Sequence, residues 1–350
     1  MQALKDYTDR SPGAGWHVGL RLFASLLLIS GMSTGSQAQA QQPWADIEAA
    51  ARKEGTVFVY TASPVQVLTR LKAGFEKAHP GIAVEIFRTG SAPLIVKVEQ
   101  ERAQGVDGGD VMIHSDIGWA TDRVKDGSIK PHLGAAVRAL PAKYMIDGVI
   151  PVLAVEPVAI AYNTNLVKNP PTGYLDLLKP EYRGKVGVLD ISISITVAAY
   201  YDWLTKTYGA DYLSRLAANK TVFFNSSPVS AQAVAAGEME ISSFVSTSGG
   251  APLIAKGAPI KLVVPKPAFG YRYIGHALGW AKRPNAAQVF MNYITSVPGQ
   301  TVWSGGGDMA STLPNIPGSL DAGAIDAYDV KLETPAATKA KIEAWNKLFR

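Results

Sequence analysis

Short runs rich in β-branched residues alternate with segments of helical period along this 350-residue chain, and that alternation restricts it to layered α/β architectures with largely parallel sheets. A strand expected at residues 56–60 is followed by a helix opened by Pro64, with Val65, Leu68, Leu71 and Phe75 on one face. His79-Pro80-Gly81 stops that helix, a second strand covers 83–87, Ser91 is placed to cap the next helix, and Gly108-Gly109 precede a third strand at 110–114. A second unit of the same kind has strands at 185–189, 221–224, 239–244 and 260–264, with helices at 195–206, 211–217, 229–236 and 250–256. Between the units, residues 149–167 are long and apolar but contain Pro151 and Pro157. Each proline lacks a ladder donor, so this stretch is not expected to be one central strand; it reads instead as a segment that leaves one lobe and enters another. Residues 273–281 mark the return. Two crossovers make a hinge, expected near 154–161 and 265–272, and predict two lobes: residues 43–153 plus 273–325, and residues 154–272 plus 326–350.

The N-terminal 40 residues read as a secretory signal: Arg21 precedes an apolar run at 22–29, followed by small and polar residues ending in Ala38-Gln39-Ala40. That run is far shorter than the roughly 20 residues that span a bilayer. Residues 1–17 contain Asp6, Asp9, Ser11 and Pro12, unlike a basic leader, so translation is expected to begin near Val18; precursor peptides from residues 2–17 would refute this. Cysteine is absent, which removes disulfides, thiolate metal ligands and lipid attachment at the cleavage site. A protein released into the periplasm is therefore expected.

The chain carries 34 Lys and Arg against 29 Asp and Glu, of which the leader holds Lys5, Arg10 and Arg21 and also Asp6 and Asp9, leaving the remainder near +4. No Lys/Arg cluster is dense enough to track a phosphate backbone, so nucleic acid is not an expected partner. The mild positive balance hints at an anionic ligand.

Several stretches in order carry a family resemblance: GTVFVYTAS at 55–63, FEKAHPGI at 75–82, Gly90-Ser91, Gly109-Asp110-Val111, PVAIAYN at 157–163, LLKPEYRGK at 177–185, AAGE at 235–238, AKGAP at 255–259 and SVPGQ at 296–300. Together they resemble type II periplasmic solute-binding proteins of ABC importers, over nearly the whole chain from Trp44 past Gln300. The branch most similar is that of the ferric-ion-binding proteins. This resemblance implies an α/β fold of two lobes joined by two crossing strands, a small-molecule ligand held in the cleft, an ABC permease as membrane partner, and a monomer.

The resemblance also implies where iron ligands should stand, and they are missing. The corresponding stretches read Ser63-Pro64, Ser115-Asp116 and Ser246-Thr247-Ser248. Fe(III) needs anionic oxygen donors, which neutral hydroxyls replace poorly. Tyr200-Tyr201 falls in a helical segment, where adjacent side chains diverge, so core packing is expected. His114 and Asp116 share a strand face but have no third ligand in view. Neither a metal nor a cofactor is expected.

Hydroxyls take the place of metal donors. Ser63, Ser91, Ser115, Ser192, Ser194, Ser226, Ser227, Ser246, Thr247 and Ser248 fall at strand ends or just before helices, where open amides face a cleft. For any single one of these a simple helix cap is the favoured role, and it is their concentration at equivalent loops of both lobes that points to a site. Arg88, ending the second strand, and Arg272, opening the return strand, are candidates to pair with an acid group. Trp119, Tyr162, Phe224, Phe244 and Tyr271 are candidate walls, with Tyr162 carried as a ligand contact and core packing as the competing role. The expected ligand is a small anionic organic solute such as a phosphonate, sugar phosphate or carboxylate. Glu156, Asp190 and Asp116 keep a polyamine or thiamine in play, and ferric ion stays as an alternative. A secreted hydrolase is the rival class. Its only G-x-S-x-G, at 31–35, sits in the leader, and no other catalytic or nucleotide-binding motif occurs, so the protein is not expected to be an enzyme.

Overall fold

The structure is a computed structural model that describes residues 43–327 and 335–350; the leader expected over residues 1–40 lies outside the described residues. Among the described residues no helix is long and apolar enough to cross a membrane.

In chain order, the first half contains α1 (Trp44–Glu54), β1 (Thr56–Thr61), α2 (Val65–Ala78), β2 (Ala83–Arg88), α3 (Ser91–Gln104), β3 (Val111–His114), α4 (Ile117–Lys125), α5 (Ala135–Arg138) and β4 (Met145–Ile146). The crossing strand β5 (Ile150–Asn163) leads into β6 (Val186–Leu189), α6 (Ile195–Tyr208), α7 (Tyr212–Ala218), β7 (Val222–Phe224), α8 (Ser227–Ala236), β8 (Ile241–Ser246), α9 (Thr247–Ala255) and β9 (Ile260–Val263). The return strand β10 (Ala268–Ala277) is followed by α10 (Pro284–Ile294), α11 (Val297–Ser304), β11 (Ala310–Ser311), β12 (Leu320–Asp321), β13 (Ile325–Ala327) and α12 (Pro335–Phe349).

The strands run β2-β1-β3-β10-β5-β8-β6-β7. β1 pairs in parallel with β2 and β3, and β6 in parallel with β7 and β8, while β10 and β5 are antiparallel to each other and to the strands that flank them. Two α/β lobes are thus joined through two crossing strands. Each has its own core: Phe75, Phe290, Trp303 and Leu71 in one, Tyr174, Tyr200, Tyr201 and Trp345 in the other. Burying each such side chain contributes about 1.5–3 kcal/mol.

The structure corrects the sequence reading at four places. Residues 150–163 do form one strand, buried throughout, despite Pro151 and Pro157. Both prolines sit where β5 changes partner. Pro151 lies opposite Met145 of β4, one residue before pairing with β10 begins at Val152, and Pro157 is the last residue paired with β10, one before β8 takes over at Val158. A missing N–H interrupts no continuous ladder at such a joint. β10 begins at Ala268, so Arg272 lies inside that strand rather than opening it. Val65 is 58% exposed, because the buried stripe of α2 runs through Val67, Leu68, Leu71 and Phe75. Finally, Ser91 is the first residue of α3 and its hydroxyl does not cap it; Gly90 holds the cap position with no side-chain bond.

One glycine is required at the crossing. A Cβ on Gly270 would lie 2.6 Å from Ile325 Cγ2 and 2.8 Å from the Glu156 carbonyl, so β13, β10 and β5 can approach only because none is there.

Candidate functional site

The carboxyl ends of the parallel strands in both lobes converge on a cleft whose floor is β5 and β10. This is where open α/β sheets present unpaired helix amides. The cleft has two adjoining chambers, which share Ser227, Phe244 and Tyr271 as common wall.

The wide chamber, about 760 Å³, is bordered by the N-termini of α3, α4, α6 and α8. Ser91 and Ser115 face it and bond one another at 3.3 Å between hydroxyls. Asp116 caps α4 by accepting from the Trp119 N–H at 2.9 Å. Ser194 caps α6 and Ser226 caps α8, accepting from the Val197 and Val229 N–H groups. Only α3 lacks a side-chain cap among these four helices. Its first amides are therefore free to meet a ligand.

The second chamber, about 410 Å³, is lined by Arg88, Glu156, Ser246, Ser248, Tyr271 and Tyr273 among others. Arg88 is exposed at the end of β2; its Nε donates to the Ser63 carbonyl at 2.7 Å, which fixes the stem and leaves the two terminal amino groups without a partner among the described residues. Behind it, Glu156 is fully buried on β5, directly opposite Tyr271 in the β5–β10 register. Its Oε2 accepts from the Tyr271 hydroxyl at 2.7 Å, and its Oε1 accepts from the Ser248 N–H at 3.1 Å and from the Ser248 hydroxyl. Burial pushes the Glu156 carboxyl above its usual range, and the bonds from Ser248 and Tyr271 offset part of that push. Ser248 belongs to α9 and Tyr271 to β10, so one carboxylate ties two elements at the crossing. Gln66 of α2 adds a bond from its Nε2 to the Ser248 carbonyl at 3.3 Å.

Of the residues singled out in the sequence, Ser91, Ser115, Ser194 and Ser226 line the wide chamber, and Arg88, Ser246 and Ser248 line the narrow one. Ser227, Phe244 and Tyr271 line both chambers, Asp116 the wide one and Glu156 the narrow one, while other candidates lie elsewhere. Ser63 is buried, and its hydroxyl has no partner among the described residues. Ser192 bonds Asp190 at the start of a 3-10 turn. Thr247 is buried and donates to the Asp308 carbonyl at 2.7 Å. Tyr162 packs into the core of the second lobe. Arg272, one residue on from Tyr271, lines a separate recess with Lys143, Trp203 and Asp326, and also borders a small pocket with Ser115, Thr196 and Tyr271. Tyr200 and Tyr201 are core residues whose hydroxyls donate to the Ser243 and Leu189 carbonyls. His114 is buried against His276, its Nδ1 accepting from the Asp116 N–H at 3.1 Å. Among the described residues no group of three or more metal-ligating side chains is placed to hold an ion.

Sequence reasoning missed Tyr273 and the apolar wall residues Ile193 and Ile195. Tyr273 could have been found by alternation from Tyr271, and the two isoleucines by their position on either side of Ser194.

The family of bacterial extracellular solute-binding proteins matches residues 56–307. No curated protein matches the chain in sequence. Among solved structures, it is similar to the substrate-binding protein of an ABC transporter from Agrobacterium tumefaciens, at 18% identity over 84% of this chain and 94% of that one, with a TM-score of 0.72. Iron-bound HitA from Pseudomonas aeruginosa is 17% identical over 84% and 98% of the respective chains, TM-score 0.60. The periplasmic binding protein AfuA from Actinobacillus pleuropneumoniae, with fructose-6-phosphate bound, is 19% identical over 85% and 97%, TM-score 0.59. At these identities the likeness speaks for the fold, which is that of two-lobed periplasmic binding proteins. With most of its length matched by the family, the protein belongs to the bacterial extracellular solute-binding proteins.

Proposed function

We propose that this protein is the periplasmic substrate-binding component of an ABC importer, and that it captures a small anionic organic solute such as a phosphonate, sugar phosphate or carboxylate. The observation that carries this reading is Arg88. It is the only cation among the described residues lining either chamber, it is anchored through Nε, and its terminal amino groups are open. A guanidinium held this way presents two parallel donors to a carboxylate or phosphoryl group. The open amides of α3 and the hydroxyls of Ser91, Ser115, Ser226 and Ser246 add neutral donors nearby. The lobes are taken to part at β5 and β10, with hinge segments at residues 154–161 and 265–272. Ligand contacts to both lobes favour the closed state to the extent that they are stronger there.

Native mass spectrometry of the freshly purified protein is expected to find one small anion, and calorimetry with it should show Arg88→Gln binding about ten- to a hundred-fold more weakly. Recovery of Fe(III), a polyamine or thiamine in its place would refute the reading.

A further inference from the structure

The wide chamber is far less polar than its serines suggest. Apart from Tyr271, its larger side chains are apolar: Leu189, Ile193, Ile195 and Phe244 from one lobe face Ala92 and Pro93 from the other. Ile193 and Ile195 remain 38% and 40% exposed, and they are exposed on the wall of a cavity rather than on an outer surface. The hydroxyls between them already pair with one another or accept a backbone amide, which leaves the O–H groups of Ser194, Ser226 and Ser227 to donate but few free acceptors. Ser91 and Ser115 bond one another, Ser194 and Ser226 each accept a helix amide, and Ser227 accepts from the Ser246 N–H at 3.1 Å. Among the described residues no side chain of this chamber is cationic, and its one carboxylate, Asp116, already accepts a helix amide. The charged partner for an anion stands only in the adjoining narrow chamber.

From this division we propose that the ligand is amphiphilic: a single carboxylate head meets Arg88 in the narrow chamber, and an aromatic or branched aliphatic body fills the wide one. The inference rests on the anionic-solute reading and narrows it to hydrophobic carboxylates. A polyol body would bring several O–H donors to walls that are mostly apolar and offer few free acceptors, and each unmatched hydroxyl costs affinity. An apolar body instead removes Ile193, Ile195 and Phe244 from water, with a gain proportional to the area covered. Cavities of a few hundred to about 1,000 Å³ hold ligands of this size. Tyr271 forms part of the wall of both chambers, and its hydroxyl is held by Glu156, so the dividing wall is fixed in place.

The test is calorimetry on the mature protein with three probes: 3-phenylpropanoate, propanoate and fructose 6-phosphate. The phenyl compound is expected to bind at least tenfold tighter than either of the others. Ile195→Ser, and separately Ile193→Ser, should collapse its advantage over propanoate to about threefold or less, with melting temperatures near the parent's because both side chains are exposed. Equal affinity for the two carboxylates, or tightest binding of fructose 6-phosphate with both isoleucine variants unaffected, would overturn the amphiphilic inference while leaving the anionic-solute reading in place. An Arg88→Gln variant that binds every anion as the parent does, or a protein that binds spermidine and no anion, would overturn both.

Discussion

The two crossing strands each bury a titratable side chain beneath the cleft, and the two are treated in opposite ways. On β5, both oxygens of Glu156 have partners: the Tyr271 hydroxyl on one, the Ser248 N–H and hydroxyl on the other. On β10, His276 faces His114 with 3.0 Å between their Nε2 atoms. His114 Nδ1 accepts from the Asp116 N–H, so its proton sits on Nε2 and is donated to His276. His276 must then carry its own proton on Nδ1, which has no partner among the described residues. His132, close enough to repel a charge on His276, is buried with neither ring nitrogen bonded. The contrast teaches what each group is for. Glu156 is a bolt that fixes Tyr271 and Ser248 around the narrow chamber, whereas the histidines fill space as neutral rings and become a liability once they take up protons.

The largest expected effect breaks the bolt. Glu156→Leu leaves the Tyr271 hydroxyl and two Ser248 donors facing an apolar side chain, and should cost about 3 kcal/mol or more in chemical denaturation. Glu156→Gln retains an acceptor for Ser248 and a group that can bond Tyr271, and should cost much less at neutral pH. The sign of its pH dependence follows from burial. Because the folded carboxyl is held above its unfolded value, its favourable contribution is complete in acid and is lost as pH rises through the folded pKa, so Gln removes that decline. Equal losses for Leu and Gln would mean that the bonds to Glu156 do not matter.

The intermediate effect belongs to the histidines. Burial pushes His114 down to about 3 and His132 to about 4, and His276 is pushed down by burial and then by its two histidine neighbours. A group whose folded pKa is depressed contributes stability that is complete above the unfolded value of about 6.5 and drains away as pH falls below it. At pH 5 keeping His114 or His132 neutral therefore costs about 2 kcal/mol relative to neutral pH, and His276 adds a loss of the same sign. His132→Leu, at the site with no bonds to lose, should be about 2 kcal/mol more stable relative to the parent at pH 5 than at pH 7.5. A parallel pH dependence in parent and variant would show that His132 is not held neutral.

Much of this was legible in the sequence, and the losses have physical causes. The strand-helix alternation located the main strands of both lobes and most helices up to residue 264, because period 2 and period 3.6 are local properties, but not α4, α5, the short strands β4 and β11–β13, or α10–α12. β5 was misread because a proline penalty applies to a continuous ladder, and only the tertiary structure shows that the ladder changes hands at Pro151 and Pro157. Arg272 was placed at a strand start, but β10 begins four residues earlier, so Arg272 sits within the strand and lines a recess outside the two chambers, while Tyr271 lines both. The hydroxyl set was read as uniform because position relative to a helix start cannot separate Ser194, which caps and lines the cleft, from Thr247, which is turned to the Asp308 carbonyl.

Ser91 sets the lower end of the scale and is the sharpest check on that distinction. Read as an N-cap, it should be worth about 1 kcal/mol to α3. In the structure it is the first helical residue, behind Gly90, and its hydroxyl reaches Ser115 across a half-buried surface instead of a helix amide. Removing it strips no buried donor of its only partner, since water can reach Ser115, and alanine suits a first helical turn at least as well as serine. Ser91→Ala should therefore change unfolding free energy by less than about 0.5 kcal/mol, well below the Glu156→Leu loss. A loss near 1 kcal/mol would restore the capping role. A loss approaching that of Glu156→Leu would mean that the Ser91–Ser115 pair is a second bolt, and the contrast between the two kinds of polar group under the cleft would have to be redrawn.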